Sequence, residues 1–170
     1  MKFNYYAFRA IYLHEMDRFR RTLMQSLFSP VLSTSLYFIV FGSVIGGYVE
    51  KIDGISYGSF IVPGLLMLTL LTQSISNTSF GIFFPKFNGT MYEILAAPIS
   101  TFEIVLAFVG AGATKTLLVG VVIFITATFF VEVQVMYPLL MIFLLVLVAF
   151  TFALFGFLIG LMSSNFEQMS

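Results

Sequence analysis

Residues 137–162 read YPLLMIFLLVLVAFTFALFGFLIGLM, a run of 26 residues without a single charged side chain. About 20 consecutive apolar residues in a helix are enough to cross the hydrocarbon core of a bilayer. Three further apolar stretches, at residues 24–49, 57–84 and 102–131, are also long enough to cross it. The sequence therefore predicts an all-α fold, a polytopic transmembrane helical bundle with four spans.

The composition of the 170-residue chain agrees with a membrane protein. Hydrophobic residues make up 59% of the chain and charged residues 9%, whereas soluble domains carry about 25% charged residues. The formal net charge is zero, which provides no electrostatic basis for a nucleic-acid partner. The chain has no Cys, and His14 is its only His, which argues against thiolate chemistry, a histidine metal site and a Ser-His-Asp triad. We therefore expect no catalytic residue, metal or cofactor in this chain.

The segment at residues 4–22, ahead of the first apolar stretch, is too highly charged to span a membrane. Its apolar side chains recur every three or four positions and so share one face of a helix. The other face carries the charged side chains of Arg9, Glu15, Asp17, Arg18, Arg20 and Arg21. This pattern predicts an amphipathic helix that lies in the membrane interface. A helix packed on a soluble partner protein is the alternative interpretation.

Small residues recur at helical spacing in three of the four stretches. Such residues let helices approach closely in lipid, so these positions are predicted helix-packing sites. They are Gly42 and Gly46 in the first stretch, Gly112 and Gly120 in the third, and Gly156 and Gly160 in the fourth.

Two features inside the spans are polar. Thr69, Gln73, Ser76 and Asn77 form a stripe on the second stretch, and it should face protein or water because an unpaired polar group in hydrocarbon is unfavourable. The stripe either lines a transport path or makes hydrogen bonds between helices. Lys115 lies inside the third stretch. It either contacts an anionic group on the path or extends its ammonium group to the cytoplasmic interface.

The basic residues predict the orientation, because Lys and Arg concentrate on the cytoplasmic side of membrane proteins. With the N-terminus inside, the outer loops hold only Lys51 and the cytoplasmic segments hold Lys2, Arg9, Arg18, Arg20, Arg21 and Lys86. We therefore expect a cytoplasmic N-terminus and a cytoplasmic loop at residues 85–100. Residues 91–97 of that loop can form a short helix that ends before Pro98.

The order of these elements resembles a known family. The sequence has FGSVIG at residues 41–46, FIVPGL at 60–65, EILAAPIS at 93–100 and GAG at 110–112. In this order and spacing they are similar to the ABC-2-type permeases, the membrane subunits of bacterial ABC exporters. The resemblance covers essentially the whole of residues 1–170. Family members usually have six spans, so the resemblance implies the N-terminal part of such a domain, without its last two spans.

The resemblance also implies a function. Two permease copies would assemble, as a homodimer, with cytoplasmic ABC ATPase subunits that bind ATP and Mg, in the lipid of the bacterial inner (plasma) membrane. The loop at residues 85–100 would couple to the ATPase, through Phe87, Tyr92, Glu93 and Pro98. An ordinary solvated loop charge is the alternative for Glu93. The substrate exported from the cytoplasm would be lipid-linked, a glycan or hydrophobic.

Two other classes of protein compete with this interpretation. A four-span scaffold or assembly protein that transports nothing also fits the hydropathy pattern. An enzyme with its active site inside the membrane would need clustered Asp, His or Ser and Lys groups within the spans, and Lys115 alone does not supply them.

Overall fold

The computed structural model describes residues 3–41, 51–52, 55–131, 133 and 135–165. These residues form six α-helices and one hairpin of two-residue strands. In chain order they are α1 (Tyr5–Arg21), α2 (Leu23–Ile39), β1 (Lys51–Ile52), β2 (Ile55–Ser56), α3 (Tyr57–Phe87), α4 (Thr90–Ala96), α5 (Thr101–Phe130) and α6 (Pro138–Met162). The strands pair antiparallel, with Ile52 opposite Ile55. The predicted all-α class is confirmed for this part of the chain, apart from that hairpin.

Three helices within the described ranges are long and apolar enough to cross a membrane, namely α3, α5 and α6. Helix α2 is apolar but has only 17 residues, and Val40 beyond its end still has right-handed helical backbone angles. The rest of the span predicted at residues 24–49, including Gly42 and Gly46, lies outside the described residues. The predicted number of four spans is therefore not confirmed.

Helix α3 extends further than the hydropathy of residues 57–84 predicts. Pro85, Lys86 and Phe87 belong to its last turn, so the connection to α4 consists only of Asn88 and Gly89. Gly89 has φ of 81°, a left-handed conformation that glycine adopts without strain. Proline is tolerated within membrane helices where neighbouring groups compensate for the missing hydrogen bond. The loop predicted at residues 85–100 is therefore largely helical.

Helix α3 packs on both α6 and α5, and glycines bring the helices close together. A Cβ atom on Gly156 of α6 would lie 2.4 Å from the carbonyl oxygen of Ile75, and one on Gly160 would lie 2.5 Å from that of Ser79. On the α5 side, a Cβ atom on Gly120 would lie 2.9 Å from the Leu70 side chain. The two α6 contacts advance in the same direction along α3, so these helices run parallel.

Helix α5 runs antiparallel to α3. Gly112, near the middle of α5, lies against Thr78, whereas the later Gly120 lies against the earlier Leu70. Lys86 lies in the last turn of α3, and its Nζ donates to the carbonyl oxygens of Leu161 and Ser163, at the C-terminal end of α6, at 2.7 and 2.8 Å. Helices α3 and α6 therefore end together, at the end where α4 and the start of α5 lie.

Helix α2 packs on α5 and makes only slight contact with α3. Its buried side chains Pro30, Thr34 and Phe38 are four residues apart and so form one face. The ring of Phe38 stacks on that of Phe130 of α5, with 5.9 Å between the ring centroids. This arrangement leaves a groove between α2 and α3.

We expect Gly156→Ala to destabilise the bundle, because the added methyl group would meet the backbone of α3, which cannot rotate away as a side chain can. Overpacking of this kind costs about 1–3 kcal/mol of unfolding free energy. Gly64→Ala is the matched control, since nothing lies within 4 Å of a Cβ atom built there. Thermal unfolding in detergent measures both variants, and equal midpoints would contradict the close approach of α3 and α6.

Candidate functional site

A buried ion pair joins the first helix to the centre of the bundle. The Nζ of Lys115 on α5 lies 2.7 Å from Oε2 of Glu15 on α1. The residues are 3% and 2% exposed, respectively. The ammonium group of Lys115 thus points toward α1, and its position relative to the cytoplasmic interface stays a prediction. Its anionic partner is a residue of the same chain.

Arg18 completes the cluster from the solvent side. Its Nη1 atom lies 3.3 Å from Oε1 of Glu15, and its side chain is 33% exposed. Its guanidinium carbon lies 5.7 Å from the centre of the Phe84 ring on α3, within the range of a cation–π interaction. Both carboxylate oxygens of Glu15 are therefore occupied, one by a buried cation and one by a partly exposed cation.

The sequence pattern assigned Glu15 to the charged face of the N-terminal helix, and that assignment is wrong. The face of α1 that packs inward includes Glu15 and Phe19, both buried, whereas the aromatic Tyr6 is exposed. Amphipathic periodicity finds the apolar stripe but cannot recognise an acid that is paired inside the bundle. Two sequence signals pointed to this pair: the unmatched Lys115 within an apolar run, and the position of Glu15 three residues after Tyr12 and four before Phe19.

Helix α3 provides the space for this pair. A Cβ atom on Gly81 would lie 3.3 Å from Oε2 of Glu15, so a larger side chain there would crowd the carboxylate. The cluster of Glu15, Lys115 and Arg18, called here the α1–α5 clamp, thus lies where α1, α3 and α5 meet. Removing one partner of a buried ion pair is costly because the other charge is left without compensation.

A second group of polar contacts holds the start of α1. Asn4 caps α1 by accepting from the backbone N–H of Ala7, and its own backbone N–H donates to Oε1 of Glu103. The side-chain amide of Asn4 donates to the carbonyl oxygen of Pro98 at 3.1 Å. Ser100 and Glu103 also form a capping box that begins α5. The N-terminus of α1 is thus tied to the segment between α4 and α5.

The contacts of α1 advance in the same direction along both helices. Asn4 bonds to Glu103, the hydroxyl of Tyr12 donates to Thr114 at 3.0 Å, and Glu15 bonds to Lys115. Helix α1 therefore runs alongside the first half of α5. Its position in the membrane interface remains a prediction.

The four residues of the predicted polar stripe of α3 lie in three different environments. The side-chain amide of Asn77 donates to Thr116 on α5 at 3.5 Å, which is a contact between helices. Ser76 is exposed. Thr69 and Gln73 instead line a cavity of about 260 Å³ between α2 and α3. This cavity, called here the polar groove, has seven uncharged side chains with polar groups in its wall, namely Ser29, Ser33, Thr34, Tyr37, Thr69, Thr72 and Gln73.

Helix α4 and its surroundings form an exposed surface. Tyr92 is 79% exposed, and Phe87, Glu93 and Pro98 are also exposed. Phe87 stacks on Phe83 within α3. The half-buried side chains of Met91 and Ile94, by contrast, pack against the core between α3, α5 and α6. One face of α4 therefore packs on the bundle, and the opposite face is exposed.

Long apolar helices held together by glycines, with a charged pair buried among them, define a multi-pass helical membrane protein. A family model described as "ABC-2 type transporter" matches residues 6–170. This chain therefore belongs to the ABC-2 type transporter family, and the resemblance drawn from its motifs is confirmed.

Curated relatives carry the name "Inner membrane transport permease YadH". Those of Escherichia coli (strain K12), Escherichia coli O157:H7 and Shigella flexneri are each 37% identical to this chain over 164 residues. The match covers 96% of this chain and 64% of each relative, so the chain spans less than two thirds of their length. No solved structure matches this chain.

We expect Glu15→Gln to lower the free energy of unfolding by about 3–5 kcal/mol, because it leaves the buried charge of Lys115 unpaired. Lys115→Met should lower it by less, because Glu15 keeps its contact with the partly exposed Arg18. The double variant removes both charges, so its loss should be smaller than that of Glu15→Gln alone. Denaturant unfolding of the purified permease in detergent measures all three.

Arg20→Gln is the control for these variants. Arg20 is on the same helix, its side chain is 77% exposed, and its pair with Asp17 is 3.8 Å long. Its change should stay within about 0.5 kcal/mol. A double-variant loss equal to the sum of the two single losses would contradict the coupling of Glu15 and Lys115.

Proposed function

We propose that this chain belongs to the transmembrane permease subunit of an ATP-driven exporter in the bacterial inner membrane. The observation that carries the proposal is the exposed surface of α4, at the end of the bundle where Lys86 lies, in a chain that belongs to the ABC-2 type transporter family. The name of the curated relatives, inner membrane transport permease, supports the location.

The lengths of α3 and α5 support a position of α4 outside the hydrocarbon. With 31 and 30 residues, these helices are about 45 Å long, whereas the hydrocarbon core is about 30 Å thick. Tyr57 at the start of α3 is a suitable anchor for the outer interface. The excess length then falls at the opposite end, where α3 and α5 hold α4 between them.

Exposed aromatic side chains on a helix that is anchored from behind suit a protein partner. Tyr92 offers a large rigid contact and Glu93 a charge beside it, and aromatic residues are enriched at interfaces. We assign this surface to a cytoplasmic ABC ATPase, which would bind ATP and Mg and carry out the hydrolysis. This chain would then contribute the surface that couples to the ATPase and part of the transport path. A second copy of the permease would complete the membrane part.

The polar groove is our candidate for part of the path. Its wall is uncharged, and the hydroxyl groups of Thr69 and Thr72 already donate to backbone carbonyl groups of their own helix. Their oxygens can still accept hydrogen bonds, and Gln73 adds an amide. Such a wall suits a neutral polar or amphiphilic substrate better than an ion.

We expect Tyr92→Ala and Glu93→Gln each to reduce ATPase binding to the full-length permease, with a loss of at least about tenfold for Tyr92→Ala, as for an interface hot spot. Co-purification of the ATPase and its stimulation by permease measure the effect. Tyr137→Ala is the matched control, since Tyr137 is 66% exposed at the other end of the bundle. Unchanged binding would contradict the coupling surface. A permease that assembles stably without any ATPase would favour the scaffold function.

The groove leads to a second expectation. Because the chain has no Cys, Ser33→Cys introduces one thiol into the wall of the groove, and Leu36→Cys introduces one on an exposed face of α2 outside it. In the complete transporter, a water-soluble maleimide should label position 33 at least about tenfold faster than position 36, because a thiol facing lipid stays protonated and dry. ATP should change the rate at position 33. Equal rates would contradict a water-accessible groove.

A further inference from the structure

We propose that Glu15, Lys115 and Arg18 are positioning residues that fix the register of α1 on α5 and so couple the α2 wall of the polar groove to the segment that carries α4. The inference rests on the proposed function, because it takes α4 as the element that the ATPase moves. The α1–α5 clamp would transmit that movement without touching either substrate or ATPase.

The first link joins α4 to the start of α1. The segment after α4 contributes the Pro98 carbonyl oxygen, and α5 contributes the Glu103 carboxylate, and both accept hydrogen bonds from Asn4. Glu103 also accepts from the backbone N–H of Ser100 at 2.7 Å. A displacement of this segment therefore displaces the first turn of α1.

The second link is the clamp itself. Apolar contacts such as those of Phe19 are non-directional and allow one helix to slide on another. Charge-assisted hydrogen bonds have a preferred geometry, and a buried polar pair is well suited to setting register. Glu15 is bonded to Lys115 from inside and to Arg18 from outside. Helix α1 is therefore fixed on α5 through Asn4, Tyr12 and Glu15, of which Glu15 alone forms a buried ion pair. We expect α1 to move as one rigid body.

The third link joins α1 to α2 through one residue. Thr22 separates the helices; its backbone N–H donates to Phe19 and its carbonyl oxygen accepts from Ser26. Because one hydrogen-bonded residue joins the two helices, a movement of α1 should move the start of α2. Helix α2 then supplies Ser29, Ser33 and Thr34 to the groove, while α3 supplies the other wall and is held on α6 by backbone contact at Gly156.

The test uses the Ser33→Cys thiol in the complete transporter, reconstituted from full-length permease and ATPase. Maleimide labelling is measured with and without ATP in the parent and in the Glu15→Gln/Lys115→Met variant, whose folding is checked by thermal unfolding. We expect the ATP-dependent change in rate, at least about threefold in the parent, to be lost in the double variant although ATPase binding is retained. A purely structural pair would leave this change intact in a folded protein.

Arg18→Gln provides a second variant if the double variant does not fold, since Arg18 is partly exposed and its loss leaves the inner pair in place. We expect it to reduce the ATP-dependent change at least twofold, while the control Arg20→Gln retains it. A folded clamp variant with the full response overturns the inference. A parent that binds ATPase but shows no response to ATP overturns the proposed coupling itself, and the clamp then has no movement to transmit.

Discussion

Lys115 and Glu15 lie where neither has water to solvate its charge, and much of the structure follows from that constraint. In the apolar interior of a membrane protein, every polar group needs a partner from the protein. The same requirement explains why the hydroxyls of Thr116 and Thr126 donate to carbonyl groups one turn earlier. It also explains why Ser74 reaches across to the carbonyl oxygen of Ala149 on α6, at 2.6 Å.

The exception to this pattern is instructive. Among the described residues, Oγ1 of Thr78 is the buried side-chain oxygen without a hydrogen-bond partner, and it lies directly against Gly112. The close packing of α3 on α5 therefore leaves this hydroxyl group without a hydrogen bond, which is unfavourable for a buried group. At Thr78 the close approach of the two backbones, rather than a hydrogen bond, holds these helices together, as expected where lipid removes the hydrophobic driving force between helices.

The arrangement separates a firmly packed part from a more loosely attached one. Helices α3, α5 and α6 touch through glycines, and Lys86 closes the end that they share. Helix α2 contacts α5 along one face and leaves the groove open toward α3. Helix α1 is the connection between α2 and the end that carries α4. The exposed α4 surface, the clamp and the groove are therefore connected through consecutive contacts of α4, α1 and α2.

The amino-acid sequence alone determined the helical class, the membrane, the family and the position of most helices, because apolar run length and the spacing of Gly156 and Gly160 are local properties. It also identified Lys115 as unusual and residues 91–97 as a short helix, close to the observed Thr90–Ala96. It did not reveal the partner of Lys115, since Glu15 is 100 residues away in the chain. It also treated Thr69, Gln73, Ser76, Asn77 and Lys115 as one set. Only the tertiary structure decided which of them face the groove and which pair between helices, because that depends on where α1 and α2 pack on α5.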